Sequence, residues 1–269
     1  MSTTPAGDHK ARRSHIAVAL SVWKALFLRE AVARISAQRA GWVWLVLEPM
    51  LHIAMITYVM TGFRGREFGD ADAALFVALG LIGFRFFSNP AFKSPATLGT
   101  NRALLVYRQV KPIDPILSRC VLEGWIQILV AVLFMCLLSV LNHDVLPSAP
   151  LMPFLCVLTL WLFGLGTGLV LSAATVLGPE VGRFTNLLSM PMYLLSGVVF
   201  SPSQLPPPMR DVVLLNPVAH GIELLRSGFF PGYYVADQVS FSYLMGFTLV
   251  NLFFGLALHR HLQTRLISL

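Results

Sequence analysis

Charge is what this chain has least of. Only 12% of its 269 residues are Asp, Glu, Lys or Arg, and 56% are hydrophobic. A soluble domain carries about 25% charged residues. A deficit along the whole length excludes an ordinary soluble globule and points to a polytopic membrane protein. Acidic side chains are scarcer than basic ones, 13 against 20, leaving a formal charge of +7. Basic residues beside apolar runs are the usual orientation signal of membrane proteins, so the charge does not call for nucleic acid as a partner. Cysteine is equally sparse. Cys120, Cys136 and Cys156 lie far apart inside apolar runs. That spacing suits neither a disulfide framework nor a metal site, and reads as small buried hydrophobes. The polar amino-terminal stretch has no apolar centre, so no cleaved leader is expected.

Chemistry-bearing motifs are also missing. There is no G-x-x-x-x-G-K-[ST] phosphate loop, so ATP binding by that device is excluded. G-x-S-x-G, H-E-x-x-H and paired-cysteine patterns are absent. His259 and His261 flank Arg260, which suits the interfacial end of a span better than a metal site.

What is present is a basic arm followed by apolar runs. The arm, residues 1–40, holds Lys10, Arg12, Arg13, Lys24, Arg29, Arg34 and Arg39 against Asp8 and Glu30. Ile16, Leu20, Trp23 and Phe27 share one helical face there, which predicts an amphipathic helix on the membrane surface. Residues 41–269 form one membrane domain. Its apolar runs predict six spans at Trp42–Thr61, Ala73–Phe87, Ile116–Leu141, Leu151–Leu177, Asn186–Phe200 and Phe241–Leu258, the second and fifth short of the roughly 20 residues a crossing needs. The predicted fold is therefore an all-α membrane protein. With the arm placed inside, fifteen of the twenty Lys and Arg fall inside, four outside and Arg85 within a span. Both termini are then cytoplasmic.

Residues 201–240 carry apolar pieces, Val212–Leu215 and Gly221–Leu225, that are too short to cross. They predict a re-entrant helical hairpin dipping from the outer face between the fifth and sixth spans. Glu223 and Arg226 are three apart, a spacing at which a helix lets them neutralise each other.

The segment "YRQVKPIDPILSR", Tyr107–Arg119, places two prolines and three basic residues between apolar runs. "TNRALLVY", Thr100–Tyr107, is compatible with a short helix offering Leu104 and Tyr107 to one face, stopped by Pro112 and Pro115. Such a protruding helix can dock in a partner's groove. An ordinary positive-inside loop accounts for the same residues equally well. In the first span, Glu48 and His52 are four apart and share a face. They fit a structural hydrogen bond at the Pro49 kink better than an acid–base pair. Arg85 and Glu123 are further ionisable residues of the spans, which mark bundle interiors or water-lined paths; Arg85 either meets an anionic substrate or snorkels. Tyr193, Phe200, Phe229, Phe230, Tyr233 and Tyr234 gather near the predicted outer end. They form either an interfacial belt or a stacking platform for sugar rings. "GPEVGR", Gly178–Arg183, is either a second contact for a cytoplasmic partner through Glu180 or simply a turn.

These residues resemble a known family. "ALFLRE" at Ala25–Glu30, "LEPMLH" at Leu47–His52, "VKPIDPI" at Val110–Ile116, "GPE" at Gly178–Glu180, "NPVAHGIELLR" at Asn216–Arg226 and "PGY" at Pro231–Tyr233 are similar to the integral-membrane permeases of ABC transporters that export capsular polysaccharide, the KpsM type of the ABC-2 class. Gly178, Arg85 and Pro90 depart from that pattern. The resemblance implies a homodimer of six-span subunits in the bacterial inner membrane, a path along the dimer interface, and no enzymatic step in this chain. It implies two copies of a separate cytoplasmic ATPase carrying Mg-ATP, so no cofactor here. It further implies a lipid-linked acidic polysaccharide as substrate, and a periplasmic adaptor and outer-membrane exporter as partners beside membrane lipids.

By the same resemblance a coupling helix maps to about 97–109. Arg102, Leu104, Tyr107, Arg108, Lys111 and Asp114 then contact the ATPase, with Trp23, Arg29, Glu30 and Glu180 as second contacts. Candidates for the path are Glu48, His52, Arg85, Tyr193, Phe200, His220, Glu223, Arg226, Phe230 and Tyr233. The alternatives are an ABC-2 permease for O-antigen, teichoic acid or another lipid or drug, and a membrane-embedded glycan or lipid enzyme using Glu48, His52 or Glu180.

Overall fold

The computed structural model describes residues 15–36, 40–64, 67–68, 71–107, 109–178 and 180–267. It is almost entirely helical. Helix α1 runs His15–Ser36 and α2 Gly41–Arg64. A two-residue ribbon, β1 Glu67–Phe68 paired antiparallel with β2 Ala71–Asp72, turns the chain into α3, Ala73–Ser88. A π-helical turn Asn89–Lys93 extends α3, and the short α4, Thr97–Thr100, follows. Then come α5 Ile113–Val140, α6 Leu151–Leu177 and α7 Glu180–Leu194. The short helices α8 Pro207–Leu214 and α9 Pro217–Ser227 precede α10 Phe241–His261 and α11 Gln263–Ile267.

Among the described residues, five helical stretches are long and apolar enough to cross a membrane: Gly41–Gly62, Ala73–Lys93, Ile113–Val140, Leu151–Thr175 and Phe241–His261. The fifth expected span is displaced. In place of Asn186–Phe200 the helix is the 15-residue α7, which begins at Glu180 and gives way to turns after Leu194. Local residues explain the early start and the early end. Gly178 closes α6, Glu180 suits the positive end of a new helix, and Pro191 removes an N–H near its last turn.

Helix α3 is the axis of the fold. Fourteen of its 16 residues are buried, all but Arg85 and Ser88. An apolar run with small residues interspersed has no polar face to offer solvent, so α2, α5, α6 and α9 close around it. Asp72 caps it, its Oδ1 accepting from the backbone N–H of Ala74 at 2.8 Å and of Leu75 at 3.2 Å. Its Oδ2 pairs with His143 from the α5–α6 connection. The core is built on Phe76, Leu79, Phe87, Phe134, Leu160 and Ile222. A smaller cluster at the α1 end joins Leu98, Leu105, Ile116, Leu169 and Leu266. Helices α6 and α10 approach closely where Gly255 faces Leu169, the small-residue packing common between membrane helices. His259 is buried in that seam, bonded to Ser172 Oγ at 2.8 Å, and not at an exposed interface.

Two further expectations need correction. Cys136 is exposed, because its position on α5 faces away from the core, whereas Cys120 and Cys156 are buried. The expected helix over about 97–109 is broken into α4 and a 3-10 turn Arg102–Leu104. It stays short because Leu98 and Leu105 are drawn into the small cluster and Asn101 turns back onto the Thr97 carbonyl at 2.9 Å. On α1 Leu26 is buried against the body, and Leu20 and Trp23 are exposed.

Candidate functional site

At one end of the bundle α1 is fastened to the base of α5. Helix α5 has 28 residues, about 42 Å, against roughly 30 Å of hydrocarbon. The charges of its first turns are met by α1. Trp23 Nε1–H donates to Asp114 Oδ1 at 2.8 Å, and Lys111 N–H donates to Asp114 Oδ2 at 2.7 Å. Arg29 donates to Asn101 Oδ1 at 2.8 Å, tying α1 to the turn after α4. Glu30 pairs with Arg119, Arg34 with Glu123, and Arg119 reaches Glu123 at 3.2 Å. Glu123 is 2% exposed while the arginines remain partly open. Two acids and two arginines thus alternate across the α1–α5 seam, a network in which neither Arg is left with an uncompensated partner.

At the opposite end the short helices α8 and α9 pack together beside a caged arginine. Arg226 is fully buried. Its Nε donates to Phe76 O at 3.2 Å, and its Nη2 to Val198 O at 2.6 Å. Nη1 is shared among Gly197 O at 2.9 Å, Phe200 O at 3.3 Å and Glu223 Oε1 at 3.1 Å. The guanidinium also lies 3.6 Å from the Phe76 ring centroid, a cation–π contact strengthened by desolvation. Glu223 Oε2 accepts from Ser201 at 3.1 Å and from Tyr233 OH at 3.0 Å. Burial raises the Tyr233 phenol above its ordinary range, so it donates. Gly80 is required beside the cage: a Cβ there would strike Val198 O. His220 is neutral by geometry, Nε2–H donating to Leu214 O at 2.7 Å and Nδ1 accepting from Ser240 N–H at 3.0 Å.

Between these ends lies a polar seam. Arg85 Nη2 donates to His52 Nδ1 at 3.1 Å, joining α3 to α2. Glu48 and His52 are both exposed on α2, as the i, i+4 spacing implies. Tyr193 of α7 packs edge-on against Phe84, centroids 5.3 Å apart.

The expected site residues therefore separate into three groups. Trp23, Arg29, Glu30, Lys111 and Asp114 come together in the clasp, though their bonds are to this chain. Leu104 is half-buried, Tyr107 is exposed and Glu180 opens α7 on the surface. The side chains of Arg102 and Arg108 lie outside the described residues. Of the path candidates, Glu48, His52, Arg85 and Tyr193 share the seam. His220, Glu223, Arg226 and Tyr233 are instead occupied in the cage, with Phe200 supplying a carbonyl and Phe230 packing on Tyr233. His220, Glu223 and Arg226 are buried with internal partners, whereas Phe200, Phe230 and Tyr233 are half-buried. The clasp residues Arg34, Arg119 and Asn101 were not singled out from sequence; the Arg119–Glu123 spacing of four was the available signal.

A bundle of apolar helices, with a polar clasp at one end and a buried charge pair at the other, defines a helical membrane protein. The ABC-2 type transporter family model matches residues 21–230, and the chain belongs to that family. It is 33% identical over 241 residues to "Polysialic acid transport protein KpsM" of Escherichia coli, covering 88% of this chain and 92% of the relative. It is 27% identical over 246 residues to "Capsule polysaccharide export inner-membrane protein CtrC" of Neisseria meningitidis serogroup B, covering 90% and 91%. It is likewise 27% identical over 252 residues to "Capsule polysaccharide export inner-membrane protein BexB" of Haemophilus influenzae, covering 94% and 95%.

Proposed function

We propose that this chain is the membrane permease subunit of an ABC transporter that exports lipid-linked acidic capsular polysaccharide across the bacterial inner membrane. The observation that carries the mechanism is the clasp. A helix that only floated on the surface would transmit nothing to the spans. Here α1 is bonded to the base of α5 at Asp114, Arg119 and Glu123, and to the turn after α4 at Asn101. A push on either moves α5 as a unit.

In this reading α1 and the segment 94–112 are cytoplasmic, as the basic bias requires, and meet two copies of a separate ATPase that binds Mg-ATP. Two copies of this chain form the path between them. Six spans result if α7, about 22 Å long, is completed by residues 195–200. The α8–α9 hairpin then lies at the periplasmic side, facing an adaptor and an outer-membrane exporter. ATP binding closes the motor, the clasp levers α5, and the permeases rock apart. Co-purification of this chain with its ATPase tests the assignment: the pair should form a stable complex whose hydrolysis rate changes on assembly. Charge reversal at Arg102 or Arg108 should abolish capsule export while the complex still assembles. Absence of a complex, or capsule export by such variants at the wild-type level, overturns the reading.

A further inference from the structure

One face of α10 changes character towards the α1 end of the bundle. Leu249, Phe253 and Leu256 are spaced four and three apart, so they share that face, and all are exposed. The next positions on it are Arg260 and Gln263, both exposed. An apolar stripe that ends in a cation marks where a membrane helix passes from acyl chains to headgroups. Beside Arg260 lies a cavity of about 310 Å³ between the last turns of α10 and the first turn of α5. It is bordered by Lys111, Ile113, Leu256, His259, Arg260 and Gln263.

The cavity wall carries positive charge with no carboxylate among the described residues that border it. Lys111 and Arg260 are exposed cations. The chain from Leu256 to Leu269 contains no Asp or Glu. Asp114 has both oxygens engaged, one by Trp23 and one by the Lys111 N–H. Helix α5 begins here, and Pro112 at its cap offers no side-chain acceptor to the opening N–H groups. The positive end of that helix adds to the two cations. His259, in contrast, is only 5% exposed. Ser172 Oγ–H donates to Leu169 O at 2.8 Å, so Ser172 Oγ accepts from His259 Nε2–H at 2.8 Å. With the proton on Nε2, Nδ1 holds a lone pair, and that buried atom has no partner among the described residues. A buried acceptor of this kind costs free energy until a donor reaches it.

From this placement we infer that the cavity binds the headgroup of an anionic bilayer phospholipid whose phosphodiester bears a free hydroxyl, phosphatidylglycerol being the simplest. The phosphate takes Lys111, Arg260 and the N–H groups that open α5. The headgroup hydroxyl donates to His259 Nδ1. The acyl chains run along Leu256, Phe253 and Leu249. Basic pockets between membrane helices at headgroup level suit such lipids. A zwitterionic headgroup is disfavoured, because its own cation would sit between Lys111 and Arg260. A soluble phosphate would leave the α10 stripe unused. Helix α10 packs on α6 and α9. The lipid adds a tie from its end to the start of α5, the helix that α1 clasps. It is therefore a standing brace and not cargo, and the site does not depend on what the permease carries.

The test is native mass spectrometry of the full chain in detergent, titrated with defined lipids. Phosphatidylglycerol should bind at least about tenfold more tightly than phosphatidylcholine, since each cation near the phosphate adds to the attraction. Phosphatidylmethanol has the same charge and no hydroxyl, and should bind about fivefold more weakly than phosphatidylglycerol, the worth of one hydrogen bond. Glycerophosphoglycerol, the headgroup without tails, and inorganic phosphate should bind far more weakly than the lipid. Arg260→Gln and Lys111→Gln should each weaken phosphatidylglycerol about tenfold, as loss of a charge-assisted hydrogen bond does. Arg260→Lys should restore part of that loss. His261→Gln, next to Arg260 but off the cavity wall, should change binding by less than about twofold, as a surface charge does. Equal affinity for phosphatidylglycerol and phosphatidylcholine overturns the inference, and so does tight binding of either soluble phosphate. Equal affinity for phosphatidylmethanol removes the hydroxyl from His259 and overturns the assigned headgroup. Unchanged affinity in both Arg260→Gln and Lys111→Gln, or an equal loss in His261→Gln, overturns the site. Neither ATPase nor glycan is present, so the outcome is separable from that of complex formation.

Discussion

Two arginines in this molecule meet opposite fates. Arg226 is fully buried and makes five hydrogen bonds to its own chain plus a cation–π contact. Arg85 is half-buried, with His52 its hydrogen-bond partner among the described residues. Both are costly to place near hydrocarbon. The first meets that cost with fixed carbonyls and a carboxylate, so its charge is structural and unavailable. The second is held only loosely, on the open stripe of an otherwise buried helix, so its charge is available. Burial and partner count, not residue type, separate a strut from a binding group.

The comparison can be broken from the strut side first. Arg226→Met should give the largest effect, because Glu223 stays buried without its counter-charge and several carbonyls lose their donor. Breaking one partner of a buried pair costs about 3–5 kcal/mol. The expected outcome is a chain that fails to accumulate, or melts far earlier in detergent. Arg226→Lys should rescue little, since one ammonium cannot reach carbonyls on two sides. Combining Arg226→Met with Glu223→Leu should be less damaging than the two single effects added together, and a thermal-melt double-mutant cycle reads that coupling.

Next is the clasp. Glu123→Ala leaves Arg34 and Arg119 facing each other's charge at a site that is only partly open. A loss of about 1–3 kcal/mol is expected, together with a marked fall in ATPase-coupled export. Equal export with lowered stability would detach the clasp from coupling. Trp23→Phe removes one hydrogen bond to Asp114 while keeping the ring. It should cost about 1 kcal/mol, and isolated α1 motion should rise in hydrogen exchange.

The smallest stability effect should come from the binding side. Arg85→Gln is expected to shift the melting transition by less than about 1 kcal/mol, because a half-open group loses little by truncation. Its export defect should nevertheless exceed that of Trp23→Phe. A large melting shift for Arg85→Gln would place it with Arg226 as a strut and erase the contrast.

Much of this was legible from residues alone. The apolar runs located four spans to within a few residues, because lipid demands uninterrupted hydrophobic helices whatever their neighbours. The Glu223–Arg226 pair followed from local spacing. What local spacing missed depends on approach between distant segments. Asn186–Phe200 reads as an apolar span, yet residues 195–200 leave the helix and give carbonyls to Arg226. Thr100–Tyr107 reads as a short helix, yet only a 3-10 turn Arg102–Leu104 forms there, and Leu105 is pulled into a cluster with Leu266 from the far end of the chain. Arg34 and Arg119 read as positive-inside markers, yet each finds an acid 89 residues away.

Composition and periodicity thus determined that the chain is a helical membrane protein and which end of it is basic, since both follow from the free energy of moving side chains between water and lipid. The tertiary structure alone decided which charges are spent and which remain on offer. That choice turns on whether carbonyls and carboxylates from remote segments surround a given side chain. At Arg226 they do. At Arg85 His52 is the hydrogen-bond partner among the described residues, with Glu48, Glu123 and Tyr193 near enough to act on its charge.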